Sequence, residues 1–330
     1  MSHWGNCISW FLPILSLSFC GSFKQEKHIE LKLDHLLHLA TLSDVDHLRN
    51  SVQALSIPRI VDTPGHTKVR DYIKDFLEKL NWQVKFDIFT EKVPVFGYLT
   101  FKNIVARQNP NAKRYLMLGC HYDSKYFRDF EFVGATDSAV PCAILLNLAE
   151  ALKDEFKKSD LSLMFVFFDG EESFKNRTKE DSLYGSRHLA KLWSEINILS
   201  RIELFLLLDL IGAPDTSFKM LINGTSSYYN RLVELEKRII RTGILRRKQH
   251  IFHIEHGQDV GDDHLPFLDH HVPVVHLISK KYPKVWHQPE DVEQAIDYKI
   301  VEQVDLVLRM FVVEYINSKA YWKSFLLNRT

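Results

Sequence analysis

The feature that most constrains this chain is a series of short, almost continuously apolar runs, the middle three of which contain or run directly into an acid or a histidine. The runs occupy 101–105, 115–120, 161–168, 204–210 and 272–278. A strand with one wet face alternates apolar and polar residues. Runs this short and this uniform are therefore read as strands covered on both faces. Stretches with helical spacing lie between or after them, at 138–154, 184–195, 227–243 and 297–316, and another precedes them at 66–80. In that leading stretch Val69, Tyr72, Ile73, Phe76, Leu77 and Leu80 recur every three or four residues behind Pro64-Gly65. That is an amphipathic helix with a start signal. Strand–helix alternation predicts an α/β three-layer sandwich, with a central, mostly parallel mixed β-sheet flanked by helices. In such sheets the reactive groups gather beyond the carboxyl ends of the strands.

The residues found there carry chemistry. His121 and Asp123 follow the second run, and Asp137 comes soon after in Gly134-Ala-Thr-Asp-Ser. The third run leads into Asp169-Gly170-Glu171-Glu172, the fourth contains Asp209, and Trp286-His287 follows the fifth. One strand-end carboxylate is usually just solvated. A series of them at successive strand ends is much harder to read that way. Two carboxylates and an imidazole form a zinc set that leaves a fourth position for water or substrate. The adjacent Glu171 and Glu172 suggest a division of labour, one ligating the metal and its neighbour carrying protons.

Composition narrows the setting. Lys+Arg and Asp+Glu are equal at 42 each, so nothing calls for a nucleic-acid partner, which needs a basic face. The run Arg246-Arg247-Lys248 reads as a solvated loop. Residues 7–22 form an apolar stretch too short to span a bilayer with ease, and they suit the core of a signal peptide cut before Phe23. An uncleaved anchor is the competing reading, because no Lys or Arg precedes the stretch. No later stretch is apolar enough to span a membrane, and 23–330 reads as a single catalytic domain without repeats. Removing the leader leaves Cys120 and Cys142, either a disulfide in an exported chain or two buried thiols. Acceptor sequons at Asn176, Asn223 and Asn328 fit the same compartment. The histidines at 250, 253, 256, 264, 270 and 271 lack a consistent ligand spacing, and His264 reads as a residue that orients its neighbours.

Longer motifs then carry a family resemblance. CHYDSKYF (120–127), VGATDSAVPCA (133–143), FFDGEE (167–172), DSLYGSRHLA (181–190), LLDLIGAP (207–214), DDHLPFL (262–268) and VWH (285–287) resemble glutaminyl-peptide cyclotransferases, relatives of the M28 zinc aminopeptidases. The likeness runs in order from about residue 45 to 316. It implies an enzyme that cyclises the N-terminal glutamine of peptides and proteins, and N-terminal glutamate slowly, to pyroglutamate. It implies one zinc per chain on Asp137, Glu172 and His287, with Glu171 as the proton-transferring acid/base. Asp209 and Asp262 match the acids that hold Glu171 and the substrate by hydrogen bonds. Trp286, Tyr282 and Val260 match the substrate pocket, and Cys120 with Cys142 match a disulfide pair. A monomer, secreted or retained in the secretory pathway, is the expected form. The chain departs from vertebrate members near Arg177, where they carry a pocket tryptophan, at Gly261, where they carry glutamine, and at Tyr282, where they carry phenylalanine. Those departures bear on substrate preference rather than on the metal.

Two rivals stand beside this reading. An M28-type aminopeptidase uses two zincs on ligands of the types His121, Asp137, Glu172, Asp209 and His287, all present here. A non-catalytic binding relative would have no use for Glu171, Asp209 and Asp262.

Overall fold

The computed structural model describes residues 30–156 and 160–327, with side chains to 318. The leader 1–22 and the sequon at Asn328 lie outside the described residues. Eight strands and eight α-helices are found among the described residues. The strands are β1 (Gln83–Val93), β2 (Gly97–Arg107), β3 (Arg114–His121), β4 (Leu161–Phe168), β5 (Ile202–Asp209), β6 (Phe218–Met220), β7 (Phe252–His256) and β8 (Val274–Ile278). The helices are α1 (Leu33–Thr41), α2 (Val45–Leu55), α3 (Pro64–Lys79), α4 (Val140–Ala151), α5 (Tyr184–Glu195), α6 (Ser226–Arg241), α7 (Leu265–Asp269) and α8 (Tyr298–Leu327).

Six strands make one sheet in the order β1-β2-β4-β3-β5-β8, and β6 and β7 form a separate parallel pair. The pairs β3–β4, β3–β5 and β5–β8 are parallel, while β1–β2 and β2–β4 are antiparallel. The expected mixed, mostly parallel sheet is therefore present.

Why the central strands read as unbroken apolar runs is visible in their packing. In β4, Leu161, Leu163, Phe165 and Phe167 face a core shared with helices such as α3, α4, α6 and α8. Met164, Val166 and Phe168 face a second core on the other side, with Leu189 and Trp193 of α5 and Phe267 of α7. β5 splits the same way, with Leu204, Leu206 and Leu208 on one face and Phe205 and Leu207 on the other. Period-2 side-chain alternation delivers residues to both faces, and both faces are dry.

The four parallel strands run in one direction, so their carboxyl ends lie along one edge of the sheet. At the end of β4 the chain turns sharply through Gly170, at φ +68°. A Cβ there would lie 2.3 Å from Cε1 of the buried Phe101 ring and 3.3 Å from Cβ of Tyr184. Only glycine combines that left-handed conformation with that close approach, and the turn aims the two glutamates that follow. Gly170→Ala is expected to destabilise by about 3 kcal/mol, adding left-handed strain to overpacking. Urea unfolding of the two proteins measures the difference.

Candidate active site

Asp137 sits in the tight turn Ala135–Ala139 that leads into α4. The turn opens with Gly134 at φ +60°, where a Cβ would lie 2.2 Å from the carbonyl oxygen of Asp137. Its backbone is gripped by Arg59, whose side chain is 1% exposed as a residue. The guanidinium donates to the carbonyls of Val133, Gly134 (2.9 Å) and Asp137 (3.2 Å). Glu172 arrives from the end of β4, and His287 from the loop between β8 and α8. His287 Nε2 lies 3.1 Å from Glu172 Oε1 and 3.4 Å from Asp137 Oδ2. One ligand atom from each of the three falls within 4.8 Å of the others. The backbone of His287 has φ +56°, an unusual conformation for a non-glycine residue.

This set fits zinc by its donors: two carboxylate oxygens and one imidazole nitrogen, converging in a largely dry place. The acids and the imidazole of the set also shift one another. Burial alone would lower His287, but hydrogen bonds to Asp137 and Glu172 overcome it and hold the imidazole up, at about 9. Burial tends to raise Asp137, yet His121 and His287 hold it well below the usual carboxylate range. Phe127 and Phe132 meet the His287 ring edge-on at 5.8 and 5.9 Å, and Trp286 stacks on it at 4.1 Å.

Glu171 points elsewhere. Its backbone N–H and that of Glu172 donate to the two oxygens of Asp123, each at 3.2 Å, which fixes the turn. Its carboxylate is 6% exposed and pairs with Arg177. Burial pushes the Glu171 carboxyl up to about 8; Arg177 acts against this and Glu172 adds to it. A carboxyl poised near neutrality suits proton transfer. Glu172, by contrast, is contacted by His287 and by Lys125 Nζ at 3.1 Å.

Asp209 accepts from Ser138 Oγ and from the Leu210 N–H at 2.8 Å. His121 Nε2 lies 3.0 Å from Asp137 Oδ1 and 3.5 Å from Asp209 Oδ1. His121, Asp137 and Asp209 thus make a second group of ligand type sharing Asp137. Asp262 lies 2.8 Å from His276 Nε2. Burial would raise Asp262, but His276 holds it down, at about 2. Tyr282 and Trp286 meet edge-on at 4.7 Å and are 41% and 37% exposed, so they form a wall open to solvent. Val260 is half-buried on the loop that carries Asp262. Cys120 and Cys142, both buried, bring their sulfurs to 2.7 Å.

The residues named from the sequence therefore converge on the strand-end edge. Sequence reasoning missed Arg59, Lys125 and His276. His276 had a signal, as the one polar side chain in the apolar run 272–278. Arg59 had none, because its neighbours Pro58 and Ile60 belong to no periodic element. Of the histidine-rich stretch, His264 lies 2.9 Å from Asp259, which also lies 3.1 Å from His276. Asp259, His264 and His276 make a third group of ligand type. Arg247 of the basic run pairs with Asp297 at 3.0 Å.

The fold and this edge of acids and histidines are those of a zinc-peptidase-like α/β protein, and the model of peptidase family M28 matches residues 103–312. A glutaminyl-peptide cyclotransferase of Drosophila melanogaster is 44% identical over 302 residues, covering 87% of this chain and 85% of its own length. One from Dictyostelium discoideum is 34% identical, covering 93% and 96%. The crystal structure of Macrostomum lignano glutaminyl cyclase is similar with a TM-score of 0.84 at 36% identity, over 88% of this chain and 95% of that one. Within the M28 family, this chain belongs to the glutaminyl-peptide cyclotransferases.

The grip of Arg59 on the Asp137 turn generates a test. Arg59→Met keeps the buried stem and removes every donor to the turn. Zinc affinity, measured by competition with a chromogenic chelator, is expected to fall about 10–100-fold, as when an outer partner of a metal ligand is lost. An unchanged affinity would mean that the turn holds its shape without the guanidinium.

Proposed function

We propose that this chain closes the N-terminal glutamine of peptides and proteins into pyroglutamate with release of ammonia, and acts slowly on N-terminal glutamate. The observation that carries the reading is the split between adjacent glutamates. Glu172 faces His287 and Asp137, while Glu171 is buried apart from them with a carboxyl held near neutrality. Asp137, Glu172 and His287 would hold one zinc per chain, which supplies Lewis acidity toward the γ-amide oxygen. Trp286, Tyr282 and Val260 wall the side chain and keep it curled, so that the α-amine attacks the γ-carbon of its own residue. Glu171 takes the proton that the amine loses and passes it to the leaving nitrogen, which departs as ammonia. Asp209 and Asp262 fix the polar ends of substrate and Glu171. No water nucleophile enters, and this separates cyclisation from hydrolysis.

The group His121, Asp137 and Asp209 favours one second reading, a two-metal aminopeptidase. In that group His121 lies 3.4 Å from Asp123, 3.0 Å from Asp137 and 3.5 Å from Asp209. Metal content decides between the two: close to one zinc at full activity for the cyclase, two with release of N-terminal residues for the hydrolase.

We read the chain as a monomer of the secretory pathway. The apolar leader, the exposed Asn176 and Asn223 in sequons, and the adjacent Cys120 and Cys142 sulfurs support the secretory compartment. A bridge between those cysteines closes a loop of about twenty residues, worth about 3 kcal/mol on the chain-entropy model. The exported protein, measured by mass spectrometry without reduction, is expected to be lighter by the two hydrogens of one disulfide. Two alkylatable thiols would refute the pairing.

The two glutamates give the test of mechanism. Glu171→Gln is expected to keep zinc yet lose about 10²–10⁴-fold in turnover of a Gln-initiated peptide, the range of general acid–base catalysis. Glu172→Gln is expected to lose zinc itself, with activity falling in step. Near-normal turnover by zinc-loaded Glu171→Gln would overturn the assignment.

A further inference from the structure

Arg177 is the cation at the mouth of this acidic site. Its guanidinium contacts the Glu171 carboxylate and donates to the carbonyl of Gly261 at 2.8 Å. The Arg177 side chain is 43% exposed where Glu171 is 6% exposed, so the guanidinium lies between the buried carboxylate and solvent. The other cation on the glutamates, Lys125, is 14% exposed and already bound to Glu172 and to Ser173 Oγ (2.8 Å) and carbonyl (3.1 Å). Arg177 is thus the one of the two that faces outward.

The loop that carries it is fixed. Asp181 accepts the backbone N–H groups of Phe174 (2.9 Å), Lys175 (2.9 Å) and Asn176 (3.1 Å). The position opposite Arg177 is bare. At Gly261 a Cβ would approach only Leu265 Cδ1, at 3.3 Å. An exposed arginine on an anchored loop, over a glycine, is a built feature of the rim.

We propose that Arg177 reads the residue after the N-terminal glutamine and favours an acidic side chain there. This rests on the cyclase reading of the site. The reacting α-amine must meet Glu171, which the guanidinium now occupies. An arriving amine displaces Arg177 from that carboxylate while the Gly261 carbonyl still holds it at the rim. Its free donors then face the part of the peptide that leaves the pocket. A planar guanidinium with several N–H donors matches a carboxylate well. Without it, the carboxylates of Asp137, Glu171, Glu172, Asp209 and Asp262 would repel an acidic peptide.

The test uses the zinc-loaded full chain and three amidated peptides, Gln-Glu-Phe, Gln-Ala-Phe and Gln-Lys-Phe, with ammonia release giving kcat/KM. At low salt the order is Glu above Ala above Lys, with about tenfold between the extremes, and the spread narrows as salt is added. Arg177→Lys keeps the order, Arg177→Gln brings the three values together, and Arg177→Glu inverts them. Equal values for the unaltered protein at low salt, or a spread that survives in Arg177→Gln, would overturn the proposal. If no peptide is cyclised, not even Gln-Ala-Phe, the cyclase reading falls and takes this proposal with it.

Discussion

Everything at this edge of the sheet answers to one constraint: many carboxylates are buried within reach of each other. Asp137, Glu171, Glu172 and Asp262 are all under 5% exposed, and Asp209 is 8% exposed. Like charges withdrawn from water are costly unless each finds a partner. The partners are supplied one by one. His121 and His287 serve Asp137, Lys125 serves Glu172, Arg177 serves Glu171, His276 serves Asp262, and Ser138 with His121 serves Asp209. The result is a set of carboxyl groups in different environments, with Glu171 near neutrality and Asp137 and Asp262 held charged. Divergent environments for neighbouring acids are what general acid–base chemistry requires.

The rest of the fold serves that arrangement by fixing backbone. Arg59 ties the Asp137 turn, Asp123 caps the Glu171–Glu172 turn, and Asp181 ties the loop that follows. Each grips main-chain groups rather than the reacting side chains, so the loops are held from behind. Two buried cores clamp the strands from both sides. Loops anchored to so rigid a sheet keep the functional side chains in place.

How much was legible before the structure depended on burial. β4 and α5 begin and end where their sequence patterns do, at 161–168 and 184–195. A strand dry on both faces has no reason to interrupt its apolar run, and an amphipathic helix on such a sheet shows its period clearly. β1 went unread because its residues are exposed or half-buried along most of its length, so it shows only a mixed alternation. The last helix was read to 316 and continues to Leu327. Asn317-Ser318 is weak helix sequence, which hides the continuation.

The sequence by itself determined the strand–helix alternation, the acids and histidines at the strand ends, and the long motifs of the family, because hydrophobic period and covalent order are local. Only the tertiary structure decided which charge meets which. Arg59 and Asp137 are separated by 78 positions, Lys125 and Glu172 by 47, and His287 and Glu172 by 115. It also decided that Arg177, six residues after Glu171, folds back over it and against Gly261, 84 positions on. Such pairings follow from which loops the parallel strands bring to one edge, and no periodicity in the chain encodes them.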